Sequence, residues 1–191
     1  VTEAPEDLER ALAGAAKDGD RVAFEALVRR YKTALYRFVR RYVGDADDAY
    51  DIVQEAFVSA WLAFKRFDPA QSFSTWLWAI ALNKCRDYGR RRAVRRRILQ
   101  LFAAQTVRPI EREAPDAERA ADQQEIRRLY RLDQAIAQLP RLYKEPLLLT
   151  TVSGLTQQEA ARQLKTTTKA IEMRIRRAKR RLVEVLSRGE T

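Results

Sequence analysis

Apolar residues recur every three or four positions along most of the chain, the spacing that lays them on one face of an α-helix. Phe24, Leu27, Val28, Tyr31, Leu35, Phe38, Val39 and Tyr42 form one such stripe, and Ala49, Ile52, Val53, Ala56, Phe57, Ala60, Trp61 and Phe64 form a second. A shorter helix around Leu8, Leu12 and Ala15, ended by Gly19, is expected before them. Asp45 or Asp47 can cap the second stripe, and Asp68-Pro69 breaks it, because the residue before a proline is pushed out of the helical region. A third long helix is expected from near Ser74 as N-cap. It would keep Leu77, Ile80, Ala81 and Tyr88 inward and carry Asn83, Arg86, Asp87 and Arg90 on its polar side.

Later in the chain, Leu129, Leu132, Ile136 and Leu139 make another stripe, closed by Pro140. The apolar segment Leu147 to Leu149 follows and runs to Gly154. Proline has no N–H to donate, so a helix here is expected to begin close to Pro146. Thr156-Gln157-Gln158-Glu159 is a capping-box pattern, predicting a short helix with Ala160, Ala161 and Leu164 inward. After a turn at Lys165 to Thr167, a longer helix keeps Ile171, Ile175, Ala178 and Leu182 inside and turns a cationic face outward. Short helix, tight turn and longer basic helix is the pattern of a helix-turn-helix. With only 6 Gly and 6 Pro in 191 residues, propensity supports helix nearly throughout, and the fold class is all-α.

Charge divides the chain. Basic runs at Arg86 to Arg97 and Arg174 to Arg181 flank a stretch holding Pro109, Glu111, Glu113, Pro115, Asp116, Glu118 and Asp122, with little apolar periodicity. Two small helical domains, 1–97 and 126–191, joined by a linker at 98–125, are therefore expected. The net charge of +11 makes a polyanion the first partner to consider. An anionic membrane surface is second, but no run of about 18 apolar residues could span one and the start does not resemble a signal peptide, so a cytoplasmic protein is expected.

The chain has no His and a single Cys, Cys85, which excludes an internal disulfide, the common Cys/His zinc sites, and Ser-His or Cys-His catalysis. Asp47, Asp48, Asp51 and Glu55 share a helix face and are candidates for a carboxylate metal site. No Gly-rich phosphate cradle accompanies them, so neither metal nor cofactor is expected. An acidic face on a basic protein better suits docking of a basic partner. Phe64, Phe67, Phe73, Trp76 and Trp78 surround a predicted loop beside the first arginine run. Exposed aromatics next to cations would form a site for unstacked single-stranded bases, while the competing reading makes most of these rings core, Trp61 and Phe64 at least. In the last helix, Lys169, Glu172, Met173, Arg176 and Arg177 are spaced to reach base edges and phosphates.

These segments resemble the sigma factors of bacterial RNA polymerase. Asp47 to Phe57 is similar to region 2.2, Phe73 to Leu77 with Ile80 to Asn83 resembles regions 2.3 and 2.4, and Gly154 to Leu182 resembles region 4.2, in the family's order. The short chain, without regions 1.1 and 3, matches the extracytoplasmic-function group. The resemblance implies a sigma2-like bundle and a sigma4-like helix-turn-helix in a subunit that directs promoter recognition and transcription initiation and is not itself an enzyme. It implies that Asp48, Asp51, Gln54 and Glu55 face the beta-prime clamp helices of the polymerase core, with the beta flap as a further contact. Phe67, Phe73, Trp76, Asn83, Arg86 and Arg90 would serve the minus-ten element, Asn83 helping to read a flipped base held by the loop between Phe67 and Phe73. Lys169, Glu172, Met173, Arg176 and Arg177 would serve the minus-thirty-five element, and an anti-sigma factor would be a further partner. Lys165 stands where many members carry glycine, which predicts a strained turn. Glu172 and Met173 replace the family's usual residues, so the promoter sequence does not carry over. The alternatives are a stand-alone helix-turn-helix regulator, a magnesium-dependent nucleic-acid enzyme, and a regulatory protein that has lost promoter recognition.

Overall fold

The computed structural model describes residues 5–102 and 120–188, with side chains for 7–99 and 127–187. Among the described residues there are eight α-helices and no strand. The first module comprises α1 (Pro5–Lys17), α2 (Arg21–Val43), α3 (Ala46–Ala63), a 3-10 turn at Phe64–Arg66, and α4 (Phe73–Phe102). Asp20 starts α2 by accepting from the Val22 and Ala23 N–H groups at 2.8 and 3.2 Å. The helix ends at Gly44, whose φ of 84° is a conformation that a residue with a Cβ resists. Of the two candidate caps of α3, Asp45 takes the place, accepting from the Asp47 and Asp48 N–H groups at 3.0 and 3.1 Å. Asp47 and Asp48 lie in the first turn, where negative charge suits the helix dipole.

The start of α4 lies before the expected Ser74. The Ser72 carbonyl accepts from the Trp76 N–H at 3.2 Å. Ser74 instead donates its own N–H to Glu9 of α1, at 3.2 Å. Glu9 also accepts from the Tyr31 hydroxyl of α2. One carboxylate thus ties three helices together, and burial beside it pushes the Tyr31 hydroxyl pKa up. The core lies where α2, α3 and α4 meet, around Leu27, Leu35 and Phe38, Ala49, Ala56 and Ala60, and Leu77, Trp78 and Ala81, all essentially inaccessible. The small side chains of the α3 alanines allow its neighbours to approach closely.

The second module comprises α5 (Ala120–Gln138), α6 (Arg141–Thr151), α7 (Gln157–Gln163) and α8 (Thr168–Arg188). Contrary to expectation, α6 does not begin at Pro146 but runs through it. Pro140 opens the helix, its carbonyl accepting from the Tyr143 and Lys144 N–H groups at 2.9 and 3.0 Å. An interior proline costs about 3 kcal/mol, which burial of Lys144 through Leu149 offsets. The capping box of α7 is complete: Thr156 Oγ1 accepts from the Glu159 N–H at 3.2 Å, and Glu159 Oε2 accepts from the Thr156 N–H at 2.8 Å. Ala160 and Ala161 of α7 and Ile171, Ala178 and Leu182 of α8 are buried, as a helix-turn-helix requires.

Of the expected linker, residues 103–119 lie outside the described residues. Its flanks are helical, because α4 continues to Phe102 and α5 begins at Ala120. No helix among the described residues is long and apolar enough to cross a membrane.

The turn between α7 and α8 carries a defect visible in the backbone. Thr166 and Lys165 donate their N–H groups to the carbonyls of Ala161 and Arg162, at 2.9 and 3.2 Å, which is a Schellman closure. That closure places Lys165 at φ 52°, the one positive φ of a non-glycine residue among those described. Lys165→Gly is therefore expected to stabilise the second module by about 1 kcal/mol, since glycine adopts this conformation without Cβ strain. Urea unfolding followed by circular dichroism checks this, and an unchanged or lowered midpoint would contradict it.

Candidate functional site

The outer face of α8 gathers five of the sequence-predicted residues. Lys169, Glu172, Met173, Arg176 and Arg177 are all exposed, while Ile171 and Ala178 on the opposite face are buried. Glu172 Oε1 accepts from Arg176 Nη2 at 2.9 Å across one helical turn. Such a pair offsets part of the repulsion that a glutamate would feel beside phosphate.

On α3, Asp51, Gln54 and Glu55 are exposed and share a face, as predicted, while Asp48 is half-buried and accepts from the Tyr88 hydroxyl of α4. Glu55 is partly neutralised by Lys84 and Arg91 of α4, at 3.5 and 3.8 Å. Gln54 also lines an open groove between α2 and α3, with Tyr50, Val58, Trp61 and Leu62. No cluster of three or more His, Cys, Asp or Glu side chains that could hold a metal occurs among the described residues.

The minus-ten set is divided between core and surface. Asn83 and Arg90 are exposed, but Phe67 and Phe73 are 2% accessible, so the expectation of exposed aromatics is not met there. The reason is mutual packing. Phe64 stacks on Phe73 at 5.6 Å, Phe67 meets Trp76 at 5.0 Å, and Trp78 turns away to Phe38 at 5.3 Å. Burying these rings gains more than leaving them in water. Trp76 alone of that group with Trp78 keeps partial exposure. The cluster forms a floor under the exposed loop 68–72, whose turn closes when Asp68 Oδ1 accepts from the Ala70 N–H at 2.9 Å.

Arg86 points somewhere the sequence did not suggest. Its Nε and Nη2 donate to Glu145 of α6 at 2.9 and 2.6 Å, a bidentate pair between the modules. Glu145 is 4% accessible and also accepts from the Tyr42 hydroxyl at 3.1 Å, with Arg141 Nε 3.0 Å away. Beside it, Lys144 donates to the Tyr42 carbonyl at 3.0 Å and to the Ala137 carbonyl. Further out, Arg41 Nε donates to Asp133 at 3.0 Å, and Gln134 Nε2 donates to the Gly44 carbonyl at 2.7 Å. A Cβ at Gly44 would stand 2.9 Å from the Ala137 Cβ, so glycine there serves both the turn and the approach of α5. Sequence reasoning passed over Lys144 and Glu145. Their signal was a charged pair embedded in the apolar run from Leu142 to Leu149.

Residues 27–96 match the Sigma-70 region 2 family and residues 129–182 match Sigma-70 region 4. The chain is 38% identical over 186 residues to the RNA polymerase sigma factor CnrH of Cupriavidus metallidurans, covering 95% of this chain and 96% of that one. It belongs to the extracytoplasmic-function sigma factors. Its likeness to the factor SigW of Bacillus subtilis, named as of that type, is 43% identity over 67 residues, 35% of this chain and 36% of the other. The solved structure of CnrH in complex with the cytosolic domain of CnrY superposes with a TM-score of 0.69 at 33% identity, covering 95% of this chain and 98% of that one. As a sigma factor, the protein directs bacterial RNA polymerase to promoter DNA and starts transcription there. The stand-alone regulator is not favoured by these relatives.

Burial lowers the pKa of Lys144 from its ordinary 10.5 to about 8, whereas burial pushes the Cys85 thiol and the Tyr42 hydroxyl up. The unfolded sigma factor keeps Lys144 protonated up to 10.5 while the folded one releases the proton near 8. Between those values the unfolded state binds more protons, so Lys144 makes stability rise with pH. Cys85 acts in the opposite sense once pH passes its ordinary value of 9, which leaves pH 8 to 9 as the window where Lys144 dominates. Across it, Lys144→Met should remove a positive slope of up to about 1 kcal/mol per pH unit. Urea midpoints at pH 8 and 9 check this, and equal slopes in variant and parent would contradict it.

Proposed function

We propose that this sigma factor acts in the cytoplasm as a non-catalytic subunit, docking on core polymerase through the α3 face and reading DNA through α4 and α8. The observation that carries the reading is an exposed acidic face on a chain of net charge +11: Asp51, Gln54 and Glu55 stand clear of the core stripe behind them. A basic partner surface suits such a face, and the beta-prime clamp helices supply one by the family resemblance. Asp48, held by Tyr88, would set the edge of that surface. The beta flap would receive the second module.

At the minus-ten element, Asn83 offers an exposed amide that can donate to and accept from a base edge, and Arg90 offers charge to the backbone. Phe67 and Phe73, with Trp76, would act by supporting the loop 68–72 that holds the flipped base. Arg86 would join them once free of Glu145. At the minus-thirty-five element, Lys169, Arg176 and Arg177 suit phosphates, Glu172 suits a cytosine amino group, and Met173 suits a thymine methyl. The solved relative is bound to the cytosolic domain of CnrY, and an anti-sigma partner is proposed for this chain on that likeness.

Reversing Asp51 and Glu55 to Lys together should leave helicity nearly intact, since exposed substitutions cost little, even beside Lys84 and Arg91. Affinity for core polymerase should fall by about a hundredfold or more, because like charges facing a basic surface cost several kcal/mol. A double variant that keeps its helicity and binds core as tightly as the parent would overturn the docking surface.

Two DNA predictions follow the same reading. Arg176→Ala or Arg177→Ala should weaken holoenzyme binding to promoter DNA and flatten its salt dependence by about 0.9 in the log-log slope. An unchanged slope for both would remove that face from the DNA. Asn83→Ala should impair opening or selectivity at the minus-ten element while core binding stays the same. Equal discrimination among promoters by variant and parent would exclude it as a reader.

A further inference from the structure

The loop 68–72 is held differently at its two ends. Its first end closes on itself, where Asp68 Oδ1 accepts from the Ala70 N–H at 2.9 Å and the Asp68 carbonyl accepts from the Gln71 N–H at 3.1 Å. Its far end runs directly into α4, a helix of 30 residues with no acidic side chain in its first turn. The leading N–H groups of a helix have no partners within it, and they favour a negative charge. Here another element supplies that charge. Glu9 of α1 accepts through Oε1 from the Ser74 N–H at 3.2 Å and from Ser72 Oγ at 3.5 Å.

The second oxygen of the same carboxylate, Oε2, accepts from the Tyr31 hydroxyl of α2. Burial, and then Glu9 itself, raise the Tyr31 pKa, so the hydroxyl remains a donor. The Tyr31 ring lies 5.6 Å from that of Phe73, part of the aromatic floor under the loop. Glu9 is therefore fixed at one oxygen to the core and at the other to the junction of loop and helix. Ser72 Oγ and Ser74 Oγ, 2.7 Å apart, complete that junction. The fold as a whole has little need of this contact, because Leu77, Trp78 and Ala81 bury α4 in the core regardless.

We propose that Glu9 is a positioning residue for the minus-ten element: its carboxylate fixes the junction of loop 68–72 with α4, so that the loop is shaped to receive a flipped base before DNA arrives. Ordering a loop at the moment of binding costs affinity, and a preformed loop avoids that cost. Glu9 acts through Ser72 and Ser74 and does not itself touch DNA, whose phosphates a carboxylate repels. The role rests on the reading of loop 68–72 as the holder of that base.

The test uses holoenzyme assembled from core polymerase with the parent factor, Glu9→Ala or Glu9→Gln. The ligands are single-stranded oligonucleotides of a promoter that it transcribes, intact or with one minus-ten base removed at a time. In the parent, removing the held base should cost about tenfold or more in affinity. Glu9→Ala should bind the intact strand about tenfold more weakly, the loss expected when a competent loop falls from most of the population to a tenth. That loss falls on the held base, so removing the base should then cost the variant little. Glu9→Gln keeps an oxygen for Ser74 and should recover to within about threefold of the parent. A Glu9→Ala factor of parental helicity that binds the intact strand as tightly as the parent overturns the proposal. An equal loss on intact and base-deleted strands also overturns it, because that pattern marks a merely structural role. If the parent itself is indifferent to every deletion, the base-holding reading of the loop has failed, and the role of Glu9 fails with it. If Glu9→Ala loses helicity, Tyr31→Phe removes the anchor of Oε2 and is judged by the same selective loss.

Discussion

Glu145 is a carboxylate placed where water reaches it only if two modules part, and a charge in that position must be paid in hydrogen bonds or it is not tolerated. The first module supplies most of them, through Arg86 and Tyr42. That requirement fixes how α6 lies on α2 and α4, and the tight approach of Ala137 to Gly44 follows from the same placement. Pro146, one residue on, is carried through the helix because the segment it belongs to is buried on all sides of this contact. Lys144 sits among carbonyls at the same contact, and burial there lowers its pKa although Glu145 beside it acts the other way.

The surfaces proposed to meet partners are those this contact leaves free. The face of α8 and the acidic face of α3 stay exposed. On the first module the contact engages the end of α2, through Arg41 and Tyr42, and Arg86 of α4, which is proposed for the minus-ten element. A protein of net charge +11 would bind nucleic acid indiscriminately if all its cations were free. Pairing Arg86, Arg41 and Arg176 with carboxylates moderates that tendency.

Local structure was legible wherever a pattern repeats or a cap is spelled out. The stripes of α2 and α3, the capping box at Thr156 and the inward alanines of the helix-turn-helix follow from spacing alone. Lys165 was legible as a strained turn because a lysine stood where glycine is usual. Proline misled at α6, since its local penalty was outweighed by burial that only the tertiary structure supplies. Aromatics misled at Phe67 and Phe73, because a ring beside a loop reads the same whether it faces solvent or its neighbours. The pairing of Arg86 with Glu145 was not legible at all. The two are far apart in the chain, and an arginine on a cationic helix carries no mark of the one carboxylate that will bind it.

The central claim is that Arg86 and Glu145 bind each other across the modules strongly enough to matter to the whole fold. A double-mutant cycle of Arg86→Met and Glu145→Gln tests it most directly, with urea unfolding followed by tryptophan fluorescence. All three tryptophans, Trp61, Trp76 and Trp78, lie in the first module, so the signal reports what closure adds to its stability. A coupling of about 1.5 kcal/mol or more is predicted for a bidentate pair this buried. Single changes that add to within about 0.5 kcal/mol would contradict the account, because they would mean that the two side chains do not depend on each other.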